Sequence, residues 1–91
     1  MTQAIWKYKI YSGGKTSIML PERAEVLHVD KQRNDTEIFL WILVYPTAPM
    51  KLRTFWAIGT GHQVEDSELG KHLGTVLLMN DNIVVHVFEG V

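Results

Sequence analysis

The sequence predicts an all-β protein of about seven short, mostly antiparallel strands that form a small sandwich or barrel. Short apolar or alternating runs recur along the chain, and turn-forming residues separate them at intervals of roughly 8–12 residues, as is typical of these architectures. No segment shows the i, i+3, i+4, i+7 apolar spacing of a long helix. A chain of 91 residues lies within the usual size range of one domain, so we expect residues 1–91 to fold as a single unit.

The run over residues 38–45 gives the strongest strand signal, because it is apolar on both faces. Successive side chains on a strand point to opposite sides, so the even-numbered positions of this run fill one face and the odd-numbered positions fill the other. Such a strand needs cover on both sides. We therefore expect it at the centre of a sheet or in a subunit seam, with Trp41 in the core.

The remaining strands follow from shorter alternating runs and from the turns between them. Ser12-Gly13-Gly14 predicts a hairpin turn between the first two strands, and Asn80-Asp81-Asn82 predicts another between the last two. The loop over residues 61–71 has room for at most one short helical turn, near residues 64–70. The predicted strands are 6–10, 16–20, 24–30, 38–45, 52–60, 72–79 and 83–89.

Alternation within strand 24–30 also assigns its side chains to faces. Leu27 and Val29 are expected on one face, and Val26 and His28 on the other. Because its neighbours are apolar, His28 is expected to be a hydrogen-bonded core histidine.

Bulk composition excludes several classes of protein. The formal net charge is −1 and the basic residues form no dense cluster, which argues against a nucleic-acid partner. The chain contains no cysteine, which excludes disulfides and thiolate metal sites. It has no signal-peptide pattern, and no apolar run approaches the roughly 20 residues that cross a bilayer. We expect no membrane partner and a location in the cytoplasm.

The polar side chains form no recognisable catalytic or metal-binding pattern. Zinc sites favour local pairs such as His-x-x-x-His, and the four histidines of the chain are not spaced in that way. His86 lies mid-strand among apolar neighbours, where a core histidine is expected. No serine has the context of a nucleophile elbow, and the carboxylates of residues 65–68 fit a solvated loop. We therefore expect a protein that is not an enzyme and that needs no metal or cofactor.

The segment Gly59-Thr60-Gly61-His62 is the most motif-like stretch of the chain. Its glycines either bend the end of strand 52–60 into the next loop or expose backbone N–H groups to an anion, with His62 as a further donor. The segment matches neither the P-loop nor the dinucleotide fingerprint. Trp56, on the strand face opposite Phe55, is a candidate hot spot. The predicted contact surface consists of Arg53, Trp56, Gly59, Thr60, Gly61 and His62.

Several short motifs cover nearly the whole chain and are specific in combination. They are Trp6-Lys7-Tyr8, Met19-Leu20-Pro21, the segment 24–29, the segment 40–44 with Pro46 and Ala48-Pro49, Arg53-Thr54-Phe55, Gly59-Thr60-Gly61-His62, Leu73-Gly74-Thr75 and the segment 86–89. In this combination the chain resembles a small uncharacterised family, a domain of unknown function, that is common in phage and prophage genomes. It departs from the family at Tyr45, where an acidic residue is usual, and over residues 32–37, where the turn is longer and more polar. The resemblance implies no activity, but it implies a phage-derived protein of the host bacterial cytoplasm.

These observations support two main hypotheses. In the first, a non-enzymatic accessory protein binds a host protein, such as a bacterial defence component, and inhibits or redirects it. In the second, the protein binds a small ligand such as a nucleotide signal in a pocket between the subunits of a homodimer or larger homo-oligomer, because one small domain has little room for its own cavity. Arg53, His62 and the backbone near Gly61 would then hold phosphate. A hydrolase and a virion component are the remaining alternatives.

Overall fold

The computed structural model describes residues 1–91 and contains seven strands in two antiparallel sheets. This confirms the all-β prediction and selects a sandwich, since the strands do not close into a barrel. The helical segment is a single 3-10 turn at Asp66–Glu68, inside the predicted interval 64–70. No helix of the structure combines the length and the hydropathy that crossing a membrane requires. The strands are β1 (Ala4–Ile10), β2 (Gly14–Pro21), β3 (Glu25–Asp30), β4 (Ile38–Val44), β5 (Met50–Gly59), β6 (Leu69–Leu78) and β7 (Ile83–Gly90).

The two sheets have strand orders β1-β4-β3 and β2-β5-β7-β6. The predicted hairpin between the last two strands is confirmed, because β6 and β7 pair antiparallel. The predicted hairpin between the first two strands is wrong, because β1 pairs with β4 and β2 pairs with β5. Gly13, with φ of 83°, instead carries the chain from one sheet to the other. A glycine turn signals that the chain changes direction, but it does not say which strands pair.

The core lies between the two sheets and is entirely apolar. Its buried residues form one cluster, and no polar or charged residue is buried. Fully burying a large apolar side chain such as that of Phe55 stabilises the fold by about 1.5–3 kcal/mol. The cluster consists of Ile10, Leu20, Ala24, Val29, Ile38, Leu40, Ile42, Val44, Phe55, Ala57, Val76, Leu78, Val85 and Val87.

Strand β4 lies at the centre of the three-stranded sheet, as predicted, but the other sheet covers only one of its faces. The even-numbered residues 38–44 are buried, whereas Phe39 and Trp41 are half-buried on the outer face. The expectation that Trp41 belongs to the core is therefore wrong. Long side chains from the neighbouring strands give partial cover. Lys7 Nζ lies 4.9 Å from the centre of the Phe39 ring, and the His28 ring lies 5.7 Å from the Trp41 ring.

A β-bulge in β3 overturns the predicted faces of that strand. Its register against β4 shifts between Val26 and His28. The extra residue lets Leu27 and His28 both lie exposed on the outer side, while Val26 and Val29 pack towards the core. The prediction that Leu27 and Val29 lie on the same face is wrong, and so is the predicted core position of His28. Nε2 of His28 lies 3.4 Å from Oδ2 of Asp30 instead.

Contacts between two turns fasten the sheets together at one end of the sandwich. The backbone N–H of Met79 donates to the carbonyl of Asp35 over 3.1 Å, and that of Asn80 donates to the Asp35 carboxylate over 3.2 Å. Lys31 Nζ lies 2.8 Å from the same carboxylate. The hydrogen bond from Lys31 lowers the pKa of Asp35 below its ordinary value, and the hydrogen bond from the Asn80 N–H lowers it to a smaller extent. Asn80 and Asp81 adopt the left-handed φ that these residue types tolerate, and Met79 does so as well.

Candidate functional site

A row of aromatic and basic side chains crosses the outer face of the four-stranded sheet. The register pairs Lys15 of β2 with Trp56 of β5, Trp56 with Phe88 of β7, and Phe88 with His72 of β6. Lys15 Nζ lies 5.8 Å from the centre of the Trp56 ring, and the rings of His72 and Phe88 are 5.0 Å apart with 67° between their planes. These are the geometries of a cation–π contact and of an edge-to-face ring pair. The four residues are called the aromatic row.

The Gly59-Thr60-Gly61-His62 turn lies at the end of β5 on this sheet. The N–H of His62 donates to the carbonyl of Gly59 over 3.1 Å, and Gly61 has a φ of 88°, which favours glycine. A Cβ at position 59 would lie 3.2 Å from the His62 ring, so the glycine lets the imidazole pack against the backbone. The N–H of Thr60 donates to the carbonyl of Val84 on β7 over 3.1 Å. Both glycines therefore serve the geometry of the turn and fix the position of His62.

Trp56 and His62 line the same open cleft, which has a volume of about 280 Å³. Gly13, Ile58 and Val64 are also among its lining residues. The glycine turn between the two sheets and the loop after β5 thus meet beside the Trp56 ring. The cleft offers a ring face, backbone groups and an imidazole to a contacting molecule.

A second open cleft, of about 420 Å³, shares His62 with the first and is also lined by Gly59 and Thr60. The structure therefore brings most of the predicted contact residues into one region at the end of β5. The residues brought together are Trp56, Gly59, Thr60, Gly61 and His62.

Arg53 does not share this surface, and the expectation that it does is wrong. Arg53 has the same parity on β5 as the buried Phe55, whereas Trp56 faces outward. Its Nε and Nη2 donate to the two carboxylate oxygens of Glu89 over 2.7 and 2.8 Å, and its Nη1 donates to the carbonyl of Ala24. The two charged side chains are 19% and 24% exposed. Arg53 therefore links the four-stranded sheet to the segment that opens β3.

The close approach of the chain at Gly90 holds the indole of Trp56 in place. Nε1 of Trp56 is buried and has no hydrogen-bond partner. A Cβ at position 90 would lie 3.3 Å from this nitrogen and would collide with Oγ1 of Thr54. The indole N–H is thus turned towards the sheet, and it is the ring of Trp56 that is available for contact.

A hydrogen-bonded chain beside the aromatic row was missed by the sequence reasoning. Oγ1 of Thr60 lies 2.8 Å from Nε2 of His86, and Nδ1 of His86 lies 3.3 Å from Oγ1 of Thr75. The same Thr75 hydroxyl lies 3.3 Å from Nε2 of His72. His86 is half-buried on the outer face, so its expected core position is wrong. The signal that would have revealed the chain is the β6–β7 register, which pairs Thr75 with His86.

These groups do not complete a recognisable catalytic or metal site. The contact between the Thr60 hydroxyl and the His86 ring resembles half of a nucleophile–base pair. In such a pair a third group, commonly a carboxylate, orients the base, but here the Thr75 hydroxyl occupies Nδ1 of His86. No three His, Asp or Glu side chains are grouped so as to hold a metal ion.

Exposed apolar side chains extend this face beyond the aromatic row. Met19 and Leu52 pair across β2 and β5 and are 49% and 57% exposed, and Leu77 on β6 is 44% exposed. Apolar exposure on one face is a mark of an interaction site. The aromatic row, the Gly59-Thr60-Gly61-His62 turn and these three residues together are called the Trp56 surface.

The molecule is thus a small antiparallel β-sandwich with a row of aromatic and basic side chains on the outer face of its four-stranded sheet. The chain belongs to the family described as "Domain of unknown function (DUF7352)", which matches residues 1–91. Its predicted membership of a family of unknown function is thereby confirmed. No curated protein and no solved structure matches the chain.

Proposed function

We propose that this protein is a non-enzymatic binding protein that covers part of a partner protein with its Trp56 surface. The observation that carries the proposal is the alignment of Lys15, Trp56 and Phe88 in one row on an open sheet face. Tryptophan is enriched among the few residues that supply most of the binding energy of an interface. The exposed Met19 and Leu52 extend this row with apolar area that a partner would remove from water.

The shape of the surface favours a protein partner over a small molecule. Pockets for small ligands are concave and usually enclose about 300–1,000 Å³. Of the clefts beside His62, the one of about 280 Å³ is below that range, the one of about 420 Å³ is near its lower end, and both are open to solvent. Four strands of eight residues present a face of roughly 19 by 26 Å. Such an area is compatible with a standard interface of about 800 Å² per partner once the loops are included.

We further propose that the partner is a host factor, such as a component of a bacterial defence system, and that the protein inhibits or redirects it in the host bacterial cytoplasm. This part of the proposal is supported by the resemblance of the chain to a small uncharacterised family that is common in phage and prophage genomes. Small proteins from such genomes commonly act by binding host machinery.

The test is a comparison of variants in affinity capture from host lysate, with quantitative mass spectrometry. Trp56→Ala removes the central ring, and Leu52→Ser removes exposed apolar area without touching the core. Tyr11→Ala is the control, because Tyr11 is an aromatic residue that is 62% exposed but lies outside the Trp56 surface.

We expect the wild type and Tyr11→Ala to capture the same specific protein, and the two surface variants to recover at least about tenfold less of it. Calorimetry with the purified partner then gives the change in Kd directly. If wild type, Trp56→Ala and Leu52→Ser all recover the same background proteins, the proposed surface is wrong.

A small ligand remains the second candidate, and one observation favours it. Lys15 Nζ lies near the Trp56 ring beside the 280 Å³ cleft, so a planar ring could stack on Trp56 while a phosphate contacts Lys15 and His62. Arg53 no longer serves as the phosphate ligand, since Glu89 and Ala24 engage it. Thermal-shift measurements with a panel of cyclic nucleotides test this candidate, because a ligand that binds only the folded state raises the unfolding temperature. No stabilisation across the panel would count against it.

A further inference from the structure

The outer face of the three-stranded sheet carries a second apolar surface. Phe39, Trp41 and Leu43 form its centre and are half-buried, and Ile5 beside them is 59% exposed. The four-stranded sheet covers the opposite face of β4, so within one chain this surface faces solvent. We call it the Trp41 surface. A contiguous aromatic stripe in this position is a mark of an interface.

The two edges of the Trp41 surface carry charges of opposite sign. Strand β1 contributes Lys7 and Lys9 on one side, and β3 contributes Glu25 and Asp30 on the other. The register places Lys9, Phe39 and Asp30 in a single row across the sheet. The surface therefore has a basic edge, an apolar centre and an opposite edge on which His28 lies between the acidic Glu25 and Asp30.

We propose that a second copy of this chain covers the Trp41 surface, in a two-fold dimer whose axis runs parallel to β4. Rotation by 180° about this axis exchanges the two edges, so β1 of each copy faces β3 of the other. Lys9 of each copy then lies opposite Asp30 of the other, and the pair occurs twice by symmetry. The two Trp41 side chains meet at the axis.

The charge pattern favours this arrangement over a face-to-face two-fold whose axis runs perpendicular to β4. Such a perpendicular axis, lying in the interface plane and passing over Trp41, would place β1 of one copy on β1 of the other. Lys7, which pairs with Trp41, would then lie opposite Lys7 of the other copy. Like charges placed opposite one another disfavour an interface. In the parallel arrangement, stacked sheets lie about 10 Å apart, a gap that one lysine and one aspartate side chain span together.

Lys9 and Asp30 already have polar partners within their own chain. Lys9 Nζ lies 2.7 Å from Glu37 in its own chain, and Asp30 lies near the exposed His28. An added Asp30 from the other copy would join Lys9 and Glu37 in a charge network, with Lys9 at its centre. Three strands of seven residues give a face of roughly 14 by 23 Å, which is small for a permanent interface, so we expect a reversible dimer with Kd in the micromolar range.

Analytical ultracentrifugation over about 1–500 μM, a range that brackets the expected Kd, tests the proposal. The wild type should change from monomer to dimer with concentration. Asp30→Lys places like charges opposite Lys9 and should raise Kd about tenfold or more. Adding Lys9→Glu to Asp30→Lys restores opposite charges and should recover most of the association. Lys15→Glu, a charge reversal on the Trp56 surface, is the matched control and should leave Kd unchanged.

Folding is followed in each variant by the unfolding midpoint, because Lys9→Glu also breaks the pair with Glu37. Trp41→Glu gives an independent check, since it sets two like charges at the axis and should abolish the dimer. A wild type that stays monomeric up to the highest concentration overturns the proposal, even if the Trp41 surface then holds a different macromolecule. A dimer that Lys15→Glu dissociates, or that Asp30→Lys leaves intact, overturns it equally.

Discussion

At the residue scale, Arg53 connects three parts of the sandwich through one guanidinium group. It forms a two-point contact with Glu89 on β7 and a further hydrogen bond with the carbonyl of Ala24 at the start of β3. Both charged side chains are less than a quarter exposed, so water screens this pair less than a surface pair. Removing one partner would leave the other charge half-buried and unpaired, which destabilises a fold more than the intact pair stabilises it.

We therefore expect Arg53→Lys to lower the free energy of unfolding by about 1–3 kcal/mol. Lysine keeps the positive charge but cannot bond both Glu89 oxygens and the Ala24 carbonyl with one planar group. Urea denaturation at neutral pH measures the change. Arg33→Lys, at an exposed position of the β3–β4 loop, is the matched control and should stay within about 0.5 kcal/mol of the wild type. Equal effects of the two substitutions would contradict the structural function of Arg53.

Gly70 and Gly14 offer a second comparison at the residue scale. A Cβ at position 70 would lie 2.9 Å from the backbone carbonyl oxygen of Glu89, which has little freedom to move, whereas a Cβ at position 14 would meet nothing within 4 Å. We expect Gly70→Ala to destabilise the fold by about 1–3 kcal/mol and Gly14→Ala to be neutral or slightly stabilising. Thermal unfolding of both variants checks this. A greater loss in Gly14→Ala than in Gly70→Ala would show that β6 and β7 pack differently.

The candidate site could be predicted from the sequence only in part, and strand parity explains where the prediction failed. Trp56 was predicted to face away from Phe55, and the structure agrees. The same parity puts Arg53 with Phe55, so the alternation already separated Arg53 from Trp56. The partner of Arg53 was beyond local reasoning, because Glu89 is 36 positions away in sequence.

At the element scale, the loop between β3 and β4 holds the β6–β7 turn through Asp35. The carboxylate of Asp35 accepts hydrogen bonds from Lys31 and from the backbone N–H of Asn80. The backbone carbonyl of Asp35 accepts a hydrogen bond from the N–H of Met79. These contacts join the two sheets outside the core. They also support a turn in which three consecutive non-glycine residues adopt positive φ. Such a conformation persists only where surrounding contacts stabilise it.

We expect Asp35→Asn to lower the unfolding temperature by about 2–4 °C at neutral pH, as befits an exposed contact in a small domain. The pKa of Asp35 is lowered in the folded state from the ordinary 3.8, chiefly by the Lys31 hydrogen bond. The ionised Asp35 carboxylate therefore stabilises the fold fully above pH 3.8, and this stabilisation is lost as the pH falls through the lower pKa of the folded state. The difference in unfolding temperature between the wild type and Asp35→Asn should become smaller below that pH, and thermal unfolding measured over a pH series checks this.

Asp66→Asn is the control for this pH series, because Asp66 is exposed in the 3-10 turn and makes no salt bridge. It should leave the unfolding temperature unchanged across the series. If the difference in unfolding temperature between the wild type and Asp35→Asn becomes larger in acid, the ionised carboxylate is not stabilised by its partners.

Turn chemistry predicted elements better than it predicted pairing. The Asn80-Asp81-Asn82 turn and the hairpin that it closes were both correct, because strands joined by a tight turn usually pair. The Ser12-Gly13-Gly14 turn looked similar but passes between sheets. The bulge between Val26 and His28 also left no local signal, since one added residue depends on the register against β4.

At the scale of the whole molecule, the sandwich follows from apolar alternation, but the strand order does not. Seven short strands predicted two layers or a barrel, and the burial of one face of β4 identifies the inner side of its sheet. The orders β1-β4-β3 and β2-β5-β7-β6 depend on contacts between distant segments. One chain of this size also cannot cover both outer faces, which is why the aromatic stripes at Trp41 and Trp56 remain accessible.

A matched pair of leucines tests this division into inner and outer faces. Leu40 is fully buried between the sheets, whereas Leu52 is 57% exposed on the outer face of the four-stranded sheet. Replacing leucine by alanine should lower the free energy of unfolding by about 2–5 kcal/mol at position 40, where it leaves a cavity. At position 52 it should lower it by about 0.5 kcal/mol or less. Urea denaturation of Leu40→Ala and Leu52→Ala measures both values. Similar losses at the two positions would mean that β4 and β5 do not present these faces to the core.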